Sequence, residues 1–313
     1  MKFLKKWVLA TFVLTILVII AGGVVRTTQS GMGCPDWPKC FGLWIPPINA
    51  AELPSNFESY LKTQDIDHTF NVYHTWIEYI NRLFTVLLGL FAIVQLVFIL
   101  KRRASLQREL KLAIAFFILI ILTGLLGKFV VKLNLAHISI SIHLLFALFL
   151  TQIQLALLMA VSGKLYKKTA GIKVRRALVL LLMVVLVQSV LGTLVRMYVD
   201  DVSKVLHYEQ REAWLAKLPI AFIIHRSFSW IVLLSTIYCV WYTRKVPALK
   251  NAMRNVLLLI MSSVSTGIVL YYLDMPALAQ PLHLLLAALT ISQIMFAILY
   301  TKNTTDLLKR QLL

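Results

Sequence analysis

Eight predominantly apolar runs alternate with polar segments along the chain, near residues 7–25, 72–100, 111–131, 138–162, 175–197, 218–242, 254–272 and 278–300. A helix needs roughly 20 apolar residues to cross the hydrocarbon layer of a bilayer, and each run is about that long. Inside lipid the backbone must satisfy its own hydrogen bonds, so runs of this kind read as helices. The pattern predicts an all-α polytopic membrane protein of eight transmembrane helices. The first run, Trp7 to Val25, exceeds a secretory h-region and lacks a clean cleavage site, so it reads as a retained first helix.

The polar segments sort by charge. Lys2, Lys5 and Lys6 open the chain, and basic residues crowd alternate connections: Lys101, Arg102, Arg103 and Arg108, then Lys164, Lys167, Lys168, Lys173, Arg175 and Arg176, then Arg244, Lys245, Lys250 and Arg254. The intervening connections hold most of the acids, among them Asp36, Glu52, Glu58, Asp65, Asp67, Asp200, Asp201, Glu209 and Glu212. This is the positive-inside pattern, and it places both termini in the cytoplasm. The net charge of +19 is thereby explained by orientation in a membrane rather than by nucleic acid. With 59% hydrophobic and 14% charged residues, the composition excludes an ordinary soluble domain. The absence of an Arg/Ser-rich transit peptide favours a bacterial plasma membrane.

The runs fall into two similar halves. Pro281-Leu282-His283-Leu284-Leu285 echoes Ser141-Ile142-His143-Leu144-Leu145, His225-Arg226 aligns with Asn81-Arg82, and Gly192-Thr193-Leu194-Val195-Arg196 aligns with Gly22-Gly23-Val24-Val25-Arg26. An N-terminal half over 1–163 and a C-terminal half over 177–313 are expected, joined by a basic cytoplasmic linker over 164–176. Four helices return the chain to its starting side, so the tandem four-helix bundles should be related by a pseudo-two-fold axis along the membrane normal.

The ionisable residues inside the runs carry the candidate chemistry, because such groups are costly in a membrane. His143, His225 and His283 sit at similar depth, roughly 9–12 Å inside the outer ends of their helices at 1.5 Å rise per residue. His225 and His283 suit a bis-histidine haem cage, with helix–helix hydrogen bonding as the plainer reading. Arg26, Arg82, Arg196 and Arg226 suit haem propionates, with snorkelling as the alternative; Lys128 and Lys132 read as snorkelling residues. Glu78 is the one acid inside a predicted run, and the second half has Phe222 at that place. It is either a proton acceptor or the ion-pair partner of Arg82 at i+4. His74, Glu78 and Asn81 follow i, i+4, i+7 spacing and share a helix face that should look at His143. Cys34 and Cys40 bracket Pro-Asp-Trp-Pro-Lys in a long outer loop; a disulfide, a redox-active thiol pair and a less favoured metal pair are the readings. Cys239 reads as a packed core residue, His68 and His207 as surface residues, and His137 has no assigned role.

These residues together resemble the haem A synthase family. The resemblance covers nearly the whole chain: Gly22-Gly23-Val24-Val25-Arg26, the run Gly33-Cys34-Pro35-Asp36-Trp37-Pro38-Lys39-Cys40, Glu78-Tyr79-Ile80-Asn81-Arg82, then His143, His225-Arg226 and His283. It implies oxidation of the ring-D methyl group of haem O to a formyl group, giving haem A for terminal oxidases, with water as the oxygen source. It implies a haem b on His225 and His283, and a substrate haem in the first half with Glu78 as the catalytic residue. Electrons would leave to an unidentified acceptor, and a haem O synthase would be a sensible partner. Two departures stand out. The family has a histidine where this chain has Asn81; either His74 replaces it, or His143 alone holds the iron with Asn81 hydrogen-bonding a water. Some members also carry a second cysteine pair in the later outer loop, which this chain lacks. The rival readings are a b-type haem electron carrier, disfavoured because every candidate ligand lies at one side, and a transporter, which would bind no haem.

Overall fold

The computed structural model describes residues 1–61, 70–133, 135–217 and 219–303. The helices are α1 (Lys2–Thr27), a short α2 (Phe57–Leu61), α3 (Val72–Leu100), α4 (Gln107–Lys132), α5 (His137–Val161), α6 (Ile172–Val205), α7 (Ile220–Thr243), α8 (Pro247–Tyr272) and α9 (Ala279–Tyr300). All but α2 are long and apolar enough to cross a membrane, and the protein is a multi-pass membrane protein. Large apolar side chains such as Leu90, Ile118, Phe149, Leu180 and Leu234 are exposed on these helices, as a lipid-facing surface requires.

Two elements depart from the expected boundaries. α6 begins at Ile172, within the stretch expected as linker, and runs on to Val205, through the polar residues expected as loop. Polar residues end a hydropathy run, but they do not end a helix. Arg196 Nε lies 3.4 Å from Asp200 Oδ2, one turn on, and Val199 is buried against Trp214 and Met275. Within the same expected linker, β1 (Lys168–Ala170) pairs in parallel with β2 (Thr301–Asn303), a short exception to the all-helical fold. Arg175 Nη1 secures it by donating to the Thr301 carbonyl at 2.7 Å.

The chain divides into two compact units, Met1–Leu158 and Met159–Leu313. In the first, Leu14 of α1, Leu88 and Ala92 of α3, Phe116 and Leu119 of α4 and Leu150 of α5 share one core. A buried pair of amides crosses it: Gln154 Nε2 donates to Gln95 Oε1 (3.0 Å) and to the Val8 carbonyl (3.1 Å), joining α5, α3 and α1. Such polar links take the place of a hydrophobic driving force, which lipid does not supply between helices. In the second unit α6, α7, α8 and α9 form a closed ring, each helix touching the next and α9 returning to α6. Its interior is filled by Leu181, Val185, Val232, Val256, Ile260, Ile291 and Ile294.

Candidate functional site

At the end of the first unit where α3 begins, the segment from Gly33 to Trp44 folds down onto that helix. Asn71 caps α3, its Oδ1 accepting from the Tyr73 and His74 N–H groups. Gly33 lies directly on the first turn. A methyl group there would stand 2.4 Å from the His74 carbonyl carbon and oxygen, so only glycine permits the approach. Thr75 Oγ1 donates to the Gly33 carbonyl at 2.9 Å. The chain then reverses through Phe41 (φ 53°) and Gly42 (φ 75°), with Cys40 and Leu43 exchanging backbone hydrogen bonds. Phe41 tolerates a positive φ because its ring is buried with Cys34 and Cys40. Cys34 and Cys40 form a disulfide, which settles the choice against a metal pair. Tyr79 Oη and Trp76 Nε1 pin the far side by donating to the Trp44 (2.7 Å) and Pro47 (3.2 Å) carbonyls.

Glu78 is buried under this loop, 4% exposed, as its lone place in an apolar run implied. Its Oε2 accepts the Cys34 N–H at 2.8 Å. Its Oε1 accepts from Arg82 Nε (3.2 Å) and Nη2. Arg82 also donates to the carbonyls of Asp36 (2.6 Å), Lys39 (2.9 Å) and Cys34 (3.0 Å). A guanidinium has five N–H bonds, and all five are committed here. Arg82, expected on a propionate, therefore clamps the disulfide loop to Glu78 and has no N–H bond left for one in this arrangement. Lys128, expected to snorkel, has its Nζ 5.9 Å from the centre of the Trp37 ring.

One turn further along α3, the Asn81 Oδ1 is buried without a hydrogen-bond partner. His74 is half-buried on the same face, seven residues nearer the loop. His143, in the second turn of α5, stands with its Cε1 3.4 Å from where a methyl group on Gly127 of α4 would be. Arg26 is half-buried in the last turn of α1. His68 lies outside the described residues. His207 is exposed, with φ 49°, and Cys239 is buried with its Sγ 3.6 Å from the Ala177 carbonyl oxygen.

The second unit has no acid at the place that aligns in sequence with Glu78. Phe222, aligned with Glu78, is buried and stacks on Tyr271 at 5.0 Å between centroids. Arg226, at i+4, lies over the Phe222 ring (5.8 Å) where Arg82 grips a carboxylate. His225 of α7 rests against Gly192 of α6, and His283 of α9 against Gly267 of α8; methyl groups there would lie 3.2 and 3.6 Å from the respective Cε1 atoms. The two imidazoles are close enough to interact electrostatically.

Two residues that the sequence reading did not single out lie beside this pair. Thr266 Oγ1 is 2.8 Å from His283 Nδ1 and donates its only hydrogen to the Ser263 carbonyl at 2.9 Å. With the hydroxyl hydrogen on Ser263, the Thr266 oxygen is placed to accept from Nδ1–H, the tautomer that leaves the His283 Nε2 lone pair available to a metal. Gln188 donates to the His225 backbone carbonyl at 3.1 Å, and the His225 Nδ1 is buried without a partner. Both residues are polar positions inside apolar runs, the one signal that would have marked them. Among the described residues no three His, Cys, Asp or Glu side chains gather as a bare ion would need. A haem iron brings its own equatorial nitrogens and needs only axial imidazoles, so this donor set fits a haem.

The chain is 33% identical over 164 residues to the heme A synthase of Pelagibacter ubique, covering 48% of each chain. It is 34% identical over 140 residues to that of Shewanella oneidensis, covering 44% of this chain and 40% of that one. With the heme A synthase of Bartonella quintana it shares 29% identity over 210 residues, 62% of this chain and 58% of the other. The aligned stretch thus spans about half the length of the first two relatives. The family match is broader: residues 5–295 match COX15-CtaA, cytochrome oxidase assembly protein, and the chain belongs to that family.

Proposed function

We propose that this protein is a haem A synthase, which oxidises the ring-D methyl group of haem O to a formyl group. The observation that carries this reading is the asymmetry between the halves. One holds a buried carboxylate under a disulfide-bonded loop, and the other holds Phe222 at that place beside a histidine pair. An electron carrier has no use for a buried acid in one half only.

On this reading the N-terminal half, 1–163, binds substrate haem O through His143, and the C-terminal half, 177–313, binds haem b through His225 and His283. Bound there, the haem b supplies one-electron redox chemistry. Thr266, 2.8 Å from His283 Nδ1, would hold the His283 ring in its ligating orientation, and Arg26, Arg196 and Arg226 are the candidates for propionates. Glu78 takes protons from the reacting centre, and Arg82 with the Cys34 N–H holds its carboxylate in one orientation. With water as the oxygen source the conversion balances as methyl plus water giving formyl, four protons and four electrons. The electrons pass to an acceptor outside the chain, and a haem O synthase is a reasonable donor of so insoluble a substrate. The membrane is a bacterial inner membrane, with both termini cytoplasmic and the haem sites toward the outer side, as the basic connections favour.

The test is mass-resolved chromatography of haems extracted from the protein, expressed in a host that makes haem O. Haem A or hydroxylated haem O beside haem b is the expected result. Haem b alone would favour the electron carrier, and no haem at all would remove both readings.

A further inference from the structure

His143, His225 and His283 share one local device: each ring edge sits against a glycine on the preceding long helix, Gly127, Gly192 and Gly267. A missing Cβ makes room for an imidazole between helices at a depth where little else could move aside. The duplication calls for a fourth pair, on α1 and α3. Gly22 aligns with Gly192, and Asn81 aligns with His225. At this fourth place a methyl group on Gly22 would meet nothing within 4 Å, whereas at Gly192 it would press on His225. The glycine has been kept but the ring is not there, and the buried Asn81 Oδ1 has no hydrogen-bond partner.

His74 does not make up the difference. It lies seven residues before Asn81, about 10 Å along the helix axis, and its carbonyl is pressed beneath Gly33. That places it at the level of the disulfide loop, not at the level of the glycine–histidine pairs.

We propose that the first half gives its substrate haem one protein ligand, His143, and that the Asn81 position, where the second half has His225, is an open coordination site for a small oxygen ligand, water or hydroxide. The Asn81 amide is the recognising group: Oδ1 accepts from a bound water, and Nδ2 donates to a bound hydroxide. Glu78 lies one turn away on the same face, within reach of a proton from that ligand through a water. This inference rests on the substrate-haem reading of the first half and concerns only which ligands that half supplies.

The test uses the full-length protein loaded with haem O, titrated with cyanide and followed by absorption and electron paramagnetic resonance. Two haems per chain are expected, one low-spin and indifferent to cyanide, the other high-spin and converted by it. Asn81→His should make the second haem low-spin and abolish its cyanide response, while His74→Ala should leave both signals as they are. Two low-spin haems in the unaltered protein, one of them made high-spin by His74→Ala, would overturn the open site while leaving the substrate site in place. A single haem per chain that is lost in His225→Ala would instead overturn the substrate-haem reading itself. The cyanide response of the unaltered protein decides the matter even if Asn81→His fails to fold.

Discussion

At the scale of single residues, the most consequential choice is Glu78 with Arg82. A carboxylate in an apolar run announces itself, but its partners do not. Arg82 at i+4 was foreseeable from spacing; its grip on the Asp36, Lys39 and Cys34 carbonyls was not, because those groups lie 43 to 48 positions away. Glu78→Gln preserves shape and removes the charge. It should lower haem A formation by about 100-fold or more, the usual contribution of a positioned acid–base group, and leave the haem content of the purified protein unchanged. Normal product yield would take Glu78 out of the mechanism. Thr266→Val keeps the volume and removes the hydroxyl that orients His283. Loss of such a supporting partner weakens metal binding by about 10- to 100-fold, so haem b should leave the variant faster when a haem scavenger is added. An unchanged rate would show that the hydroxyl does not matter to the ligand.

At the scale of elements, the segment from Gly33 to Trp44 is a lid seated on α3 rather than a loose connection. Its seat requires glycine, since a methyl group on Gly33 would collide with main-chain atoms that cannot rotate away. Gly33→Ala should cost about 1–3 kcal/mol, as overpacking does, and a thermal scan in detergent should show the fall. The disulfide closes a short loop, worth about 2 kcal/mol in the chain-entropy account. Replacing Cys34 and Cys40 together by Ser should therefore make the segment cleavable by limited proteolysis while the second unit stays intact. Equal resistance in both proteins would mean that the Arg82 clamp suffices. The extension of α6 to Val205 teaches the opposite lesson about boundaries. Hydropathy registers where lipid ends, and the helix there continues on an ion pair and on Val199 packed against Trp214.

At the scale of the whole molecule, each compact unit has its own buried interior, and each carries its own version of the glycine–histidine device. Changes to the ligands of one unit should therefore be felt there alone. His283→Ala should remove the haem of the second unit, halving the haem bound per chain in protein loaded with haem O, while the disulfide loop keeps its resistance to protease. Loss of both haems together would show that the units depend on each other for folding.

The sequence by itself determined the eight helices, the burial of Glu78 and the set of candidate histidines. Those are consequences of partition between lipid and water, which acts on each side chain through its own chemistry and its near neighbours. Only the tertiary structure decided that Arg82 holds the loop, that Gly33 is a seat, that Thr266 meets the His283 ring nitrogen, and that Gly22 faces open space where its counterpart meets a ring. Each of these depends on which groups from distant segments meet within hydrogen-bond or van der Waals distance. No local pattern encodes that, because the same threonine, glycine or arginine would satisfy the membrane equally well without its partner.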